Sequence, residues 1–267
     1  MAGDAVTFAE YIAIDAENWS SVKWMRDSAR SYRWHRDNDQ PSTTSQLRGR
    51  LLHHLVFEFE QVGTHYAIFE GDRRGTNEYK AFEAAHPDKP ILKASEMDEV
   101  RAQAAAVRAS PLVAPYLDDG EFELTLQWTD QATRLPCKGR VDWWHPATRT
   151  LLDLKGGTIN EQRFARVAAN LGFVHQVGGH YAAGIKATTS QPPAKVGFVV
   201  VEPKPPYDVA LFVLSEKQIE AAHEEVTELL RQVASCRLRG QWPGRYAAEE
   251  PLWEFSGEPK ISFAEED

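Results

Sequence analysis

Two aspartates and a lysine, set close together, are the residues whose types and spacing could do chemistry in this sequence. The stretch reads Gly139-Arg-Val-Asp142-Trp-Trp-His-Pro-Ala-Thr-Arg-Thr-Leu-Leu-Asp153-Leu-Lys155. Leu151 and Leu152 before Asp153, and Leu154 after it, predict a strand buried largely on both faces. His145-Pro-Ala-Thr reads as a turn, so two joined strands would bring Asp142 and Asp153 toward each other. An ionised carboxylate buried without a partner is costly. A divalent cation is the simplest partner for two of them, and hard oxygen ligands suit magnesium or manganese. Lys155 lies two residues beyond Asp153 and shares its face of the strand. An ammonium there could stabilise charge on a pentavalent phosphorus or orient an attacking water. The metal would lower the pKa of bound water and polarise a phosphoryl oxygen. Asp-x-Lys alone also describes a strand-end salt bridge; the second aspartate on a neighbouring strand turns the fragment into a workable phosphodiesterase site.

The elements that must position these residues can be read from periodicity. Residues 17–36 read as a helix, with Trp19, Val22, Met25 and Ala29 on one face and basic residues between them. A polar break from Gln40 precedes a helix over Ser45 to Gln61. A short strand at Tyr66–Phe69 and a turn at Gly71-Asp-Arg-Arg-Gly follow. Residues 77–86 are amphipathic, and Ser95 with Asp98 fits a cap and acidic first turn for an alanine-rich helix ending before Pro111 and Pro115. Glu121 to Thr129 alternates, with Phe122, Leu124, Leu126 and Trp128 on one face and Glu123, Thr125 and Gln127 on the other. Strands are predicted at Lys138–Trp144, Thr150–Leu154, Lys195–Glu202 and Val209–Leu214. Helices are predicted over 160–186 and Ser215–Arg237. The order implies an α/β fold with a central mixed sheet flanked by helices and an N-terminal helical elaboration. One domain over 1–267 is expected: 1–115 mainly helical, 116–240 the catalytic α/β core, 241–267 a tail.

Composition excludes more than it selects. With 42% hydrophobic and 26% charged residues among 267, the chain is ordinary for a globular domain. No apolar run approaches the roughly 20 residues of a membrane span. The opening Met-Ala-Gly-Asp-Ala lacks the features of a signal peptide, so a cytoplasmic location is expected. Cys137 and Cys236 lie far apart and are expected to be reduced thiols rather than zinc or cluster ligands. A net charge of −9 argues mildly against nucleic acid. Lys23, Arg26, Arg30, Arg33 and Arg36 nevertheless gather in one region, either as a DNA-facing flank or as a solvated helix face. No Gly-x-x-x-x-Gly-Lys-[Ser/Thr] loop, Gly-x-Ser-x-Gly elbow or His-Glu-x-x-His helix is present.

The hairpin Cys137-Lys-Gly-Arg-Val-Asp142-Trp, followed by Leu152-Asp153-Leu-Lys155, resembles the PD-(D/E)XK nuclease core. More closely it is similar to the exonuclease VIII/RecE C-terminal nuclease domain and its phage and prophage relatives. Trp19-Ser-Ser-Val-Lys-Trp-Met-Arg resembles that family's opening helix, and Gly49-Arg-Leu-Leu-His53 its Gly-x-x-x-His helix. Glu121-Phe-Glu-Leu-Thr-Leu-Gln-Trp, Val199-Val-Val-Glu-Pro-Lys-Pro-Pro-Tyr and Trp242-Pro-Gly extend the likeness over nearly the whole chain. The resemblance implies that Asp142, Asp153 and Lys155 are the core acids and lysine. It implies that His53 reaches the metal from its helix and that the Leu154 backbone carbonyl is a further ligand. Glu123 could complete a second metal site, or could be a solvent-facing strand residue. Relatives usually carry Gln-x-x-x-Tyr on the following helix. Here Tyr181 stands five after Gln176 and His180 four after it. Either His180 substitutes or the helix is irregular, for which Gly178 and Gly179 make room. Gly156-Gly157 stands where relatives more often show Thr, which implies a looser strand end.

The resemblance implies a Mg2+-dependent exonuclease, with Mn2+ as a substitute, acting in a bacterial or phage-infected cytoplasm. It would digest double-stranded DNA 5′-to-3′ and leave 3′ single strands for an annealing or recombinase protein, in a homo-oligomeric ring. A structure-specific or restriction-type endonuclease on the same core, or a catalytically inactive DNA-binding homologue, are the alternatives.

Overall fold

The structure is a computed structural model and describes residues 6–38, 43–59 and 62–245. The N-terminal part contains α1 (Phe8–Ala13), α2 (Trp19–Val22), a 3-10 turn at Lys23–Arg26, α3 (Ala29–Asp37), α4 (Thr44–Phe57) and α5 (Val62–His65). There follow β1 (Ala67–Phe69), α6 (Asn77–Ala85), β2 (Ile91–Lys93) and α7 (Ala94–Ala109). The second part contains β3 (Glu121–Thr129), β4 (Pro136–His145), β5 (Thr150–Gly156), α8 (Glu161–Leu171), a π-helix at His175–Tyr181 and α9 (Ala182–Thr189). It ends with β6 (Lys195–Val201), β7 (Val209–Val213) and α10 (Glu216–Arg239).

Strands β3 to β7 form one sheet in chain order. Within this sheet β5 and β6 alone pair in parallel, and the crossover between them is the helical run from α8 to α9; β1 and β2 form a separate parallel pair. This is the mixed sheet flanked by helices that the sequence implied. On one face, Leu51, Leu52 and Leu55 of α4 and Val100, Ala104 and Val107 of α7 pack with Trp143, Leu152, Leu154 and Val199. On the other, Phe164, Val177 and Ile185 pack with Val141, Leu151, Phe198 and Val200. Successive residues of β5 therefore enter opposite cores, as its unbroken apolar run requires.

Four expectations need correction. The helix over 17–36 is broken, because Ser28 takes extended backbone and its hydroxyl accepts from Ser31 N at 3.0 Å, starting α3 afresh. Three of its basic residues are paired rather than free: Arg26 with Glu225 at 2.6 Å, Arg33 with Asp37 at 2.6 Å and Arg36 with Asp15 at 2.5 Å. The cap of α7 is Lys93 rather than Ser95, its N–H donating to the Glu96 carboxylate at 2.9 Å. The alternation along β3 slips phase, since Phe122 packs in the first core while Leu124 and Leu126 pack in the second.

The N-terminal segment is tied into the sheet through two buried charges. Lys138 Nζ donates to the carbonyls of Tyr11, Ile12 and Ile14 at 2.9, 3.1 and 2.8 Å, closing the C-terminal end of α1. Glu17 is fully buried and accepts from Tyr32 Oη at 2.9 Å, from Arg36, and from Arg237 of α10.

Candidate metal centre

The site begins where two strands part. The last recorded pair between β4 and β5 is Trp143 with Leu152, and one step further would oppose Asp142 to Asp153. Two adjacent carboxylates repel, and the ladder stops there. Asp142 Oδ2 accepts instead from Leu154 N at 2.9 Å, so a side chain satisfies the amide that the parting strands leave unpaired. Opposite Asp142 on β3, Glu123 has φ of +50°, left-handed backbone that a non-glycine residue adopts at a cost of about 1–3 kcal/mol. This twist is the cause of the phase slip along β3. It puts the Glu123 carboxylate in a half-buried position between Arg140 Nε, at 2.7 Å, and His53 Nδ1, at 3.4 Å. The open alternative for Glu123, a solvent-facing strand residue, does not describe it.

His53 reaches this point from the middle of α4. Its Nδ1 lies 3.6 Å from Asp142 Oδ1 and its Nε2 3.0 Å from the Leu154 carbonyl oxygen. Both ring nitrogens thus face acceptors, an arrangement that only the imidazolium satisfies fully. Burial opposes the charge, but Asp142 and Glu123 outweigh it and hold the His53 pKa up at about 9. Asp142 is pushed up by burial and then by Asp153, with His53 and Lys155 opposing. Ligand atoms of His53, Glu123 and Asp142 all lie within 4.8 Å of one another. Asp153 is not in that tightest group. Its carboxylate is close enough to raise Asp142, and Lys155 Nζ stands 2.5 Å from its Oδ2. That contact has ion-pair distance without hydrogen-bond geometry, so the buried Oδ2 is left with no hydrogen bond.

The donor set fits a hard dication: three carboxylates, one imidazole and one main-chain carbonyl are gathered in one largely buried place, where an ion would take over from the His53 proton. Burial and then the neighbouring Asp153 push Asp142 up, the mark of two buried carboxylates held close together, which a dication would relieve. His53, Glu123, Asp142, Asp153 and the Leu154 carbonyl are the residues that could hold such an ion.

Comparison with known proteins follows the same line. Residues 19–250 match the family described as a PDDEXK-like domain of unknown function (DUF3799). The chain belongs to this family. No curated protein matches it. Among solved structures it is similar to one described as a "Putative exonuclease" from Eubacterium rectale, with a TM-score of 0.64 and 13% identity, covering 97% of each chain. The likeness at that identity is one of fold, and it extends over the N-terminal helices as well as the sheet.

Within this PDDEXK-like domain the helix after the hairpin resolves the unusual spacing. Gly172 ends α8 in left-handed backbone, and His175–Tyr181 then form a π-helix. In a π-helix, residues five apart share a face. Gln176 Nε2 accordingly donates to Tyr181 Oη at 2.8 Å. His180 is turned away, its Nε2 donating to the Lys138 carbonyl at 2.9 Å beside Trp128. The helix is irregular, and Tyr181 rather than His180 partners Gln176. Gly179 allows this, because a Cβ there would lie 2.7 Å from the Ala222 carbonyl oxygen of α10.

Periodicity missed two features of the site. Arg140, which secures Glu123 and donates to Val6 O at 3.1 Å, carried a signal only in its place two residues before Asp142. His54, next to His53 on α4, meets Tyr66 Oη at 3.0 Å and stacks on His65. Both line a cavity of about 670 Å³ that opens beside His53 and Glu123, with Arg50 and Phe8 on its other walls.

Proposed function

We propose that this chain is a divalent-metal-dependent DNA exonuclease, using Mg2+ with Mn2+ as a substitute. The convergence of His53, Glu123 and Asp142 on one point, with Asp153 and Lys155 alongside, carries this reading. His53, Asp142, Asp153 and the Leu154 carbonyl would hold the ion, with Glu123 completing the set or serving a second ion. When bound, the ion supplies Lewis-acid polarisation of the phosphate and an acidified water. Asp153 holds Lys155, whose ammonium meets the charge that grows on the phosphoryl oxygens. Gln176, fixed by Tyr181, orients the nucleophile or the phosphate from the π-helix. Phosphodiester hydrolysis needs no other chemistry from the protein.

Digestion from DNA ends, 5′-to-3′ on duplex DNA with a 3′ strand as product, rests on the resemblance to the RecE-type domain. The neighbour described as a "Putative exonuclease" supports action at ends. An annealing or recombinase protein as partner, a homo-oligomeric ring and a cytoplasmic setting rest on the same resemblance. Among the described residues, no helix is long and apolar enough to cross a membrane. The test is incubation with linear, nicked and circular DNA carrying separately labelled ends, with Mg2+ or with EDTA. Loss of label from linear DNA alone, in Mg2+ alone, is expected. Cutting of closed circles would assign an endonuclease, and no cutting of any substrate would sink the reading.

A further inference from the structure

Lys155 has a neighbour that the proposed chemistry has not used. Its Nζ lies 4.7 Å from the centroid of the Phe173 ring, over the ring face. Phe173 is delivered there by the joint between α8 and the π-helix. Gly172, with φ of +71°, turns the chain, and a Cβ at that position would lie 2.7 Å from Trp19 Cζ2. Trp19 is buried, stacks on His175 with ring centroids 5.6 Å apart, and carries the Arg26 guanidinium 5.1 Å from its own centroid. The backbone on either side of Phe173 is therefore anchored. The Phe173 ring lies 6.4 Å from Phe198, and Phe198 is the β6 partner of Asp153. Ring, carboxylate and ammonium form one packed unit.

We propose that Phe173 is the positioning residue of Lys155, its ring face holding the ammonium beside Asp153 and aimed at the scissile phosphate. This rests on the nuclease reading and deepens it. A lysine head carries three N–H donors on a flexible four-carbon stem. The carboxylates of Asp142 and Glu123 also attract it, so Asp153 by itself does not fix its direction. An aromatic face attracts a cation through its quadrupole and occupies no N–H group. The donors not turned to Asp153 stay available to phosphate oxygens.

The decisive series keeps shape and changes charge: Phe173 replaced by mono-, di- and trifluorophenylalanine, beside Phe173→Tyr, Phe173→Trp and Phe173→Leu. In steady-state cleavage of linear DNA, kcat should fall stepwise with fluorination, by about tenfold overall, as should Phe173→Leu. KM and the Mg2+ dependence should hold, and Tyr and Trp should retain most of the rate. A flat fluorine series, or a leucine variant as fast as the parent, would overturn the proposal. A second arm needs no activity. In protein carrying 13C-labelled lysine, the Lys155 ε-CH2 protons, assigned by their loss in Lys155→Arg, should be shifted upfield by the ring current. They should return to ordinary positions in Phe173→Leu. Absence of that upfield shift in the parent would also overturn the proposal. If the parent cuts no DNA while the shifted resonance is present, the nuclease reading fails and the hold of Phe173 on Lys155 stands.

Discussion

At the scale of single residues, each charged group at the centre is held by another, and substitutions should separate their duties. Asp153→Ala and Lys155→Ala should both abolish Mg2+-dependent cleavage, Lys155→Ala by at least about 10²-fold. Circular dichroism and thermal melting should show the fold intact in both. Retained cleavage in purified Asp153→Ala protein would count against the site. Asp142→Asn should behave similarly while keeping an acceptor for Leu154 N, so isothermal titration should show weakened Mn2+ binding without loss of structure. The residue types of Asp142, Asp153 and Lys155 were legible because strand periodicity and a turn suffice to bring them near. The placement of Glu123 was not. Its left-handed backbone interrupts the β3–β4 ladder between Phe122 and Leu124, and alternation along one strand carries no trace of it.

At the scale of elements, the π-helix is the feature on which two packing constraints meet. His180 is buried and neutral: burial lowers its pKa to about 4, against about 6.5 when exposed. Between those values the unfolded chain binds the extra proton and the folded one does not, so stability falls as pH drops below about 6.5. It should lose about 3 kcal/mol by pH 4 through this group. Urea unfolding of the parent and of His180→Gln at pH 7 and pH 4.5 should show a smaller acid loss in the variant. Equal losses would place the titrating group elsewhere. Gly179→Ala should destabilise by about 1–3 kcal/mol, since the new methyl meets the α10 backbone; denaturant midpoints will show it. Most elements and the mixed character of the sheet were legible in the sequence, as its apolar runs are long and consistently spaced. Residues 160–186 read as one helix because a π-turn keeps the helical pattern almost unbroken. The pair of glycines and the Gln176-to-Tyr181 spacing were the visible signs of irregularity. The break at Ser28 was less legible still, because Trp19, Val22, Met25 and Ala29 keep a helical period across it.

At the scale of the whole molecule, the N-terminal third packs on the sheet and on α10 through apolar side chains, and buried charges fix its position there. Glu17 is the fixed point, joining the N-terminal helices to Arg237 of the last helix. Glu17→Ala would leave the buried Tyr32 hydroxyl without its acceptor and Arg237 without its carboxylate, and should cost about 1–3 kcal/mol, read as a lowered melting temperature. Because α10 also backs the π-helix that carries Gln176, the footing of that side chain in the candidate site depends on a helix that contributes no residue to it. A chain cut off before residue 216 would lose both the Arg237 partner of Glu17 and the wall behind the π-helix, so one deletion would loosen the N-terminal helices and Gln176 together.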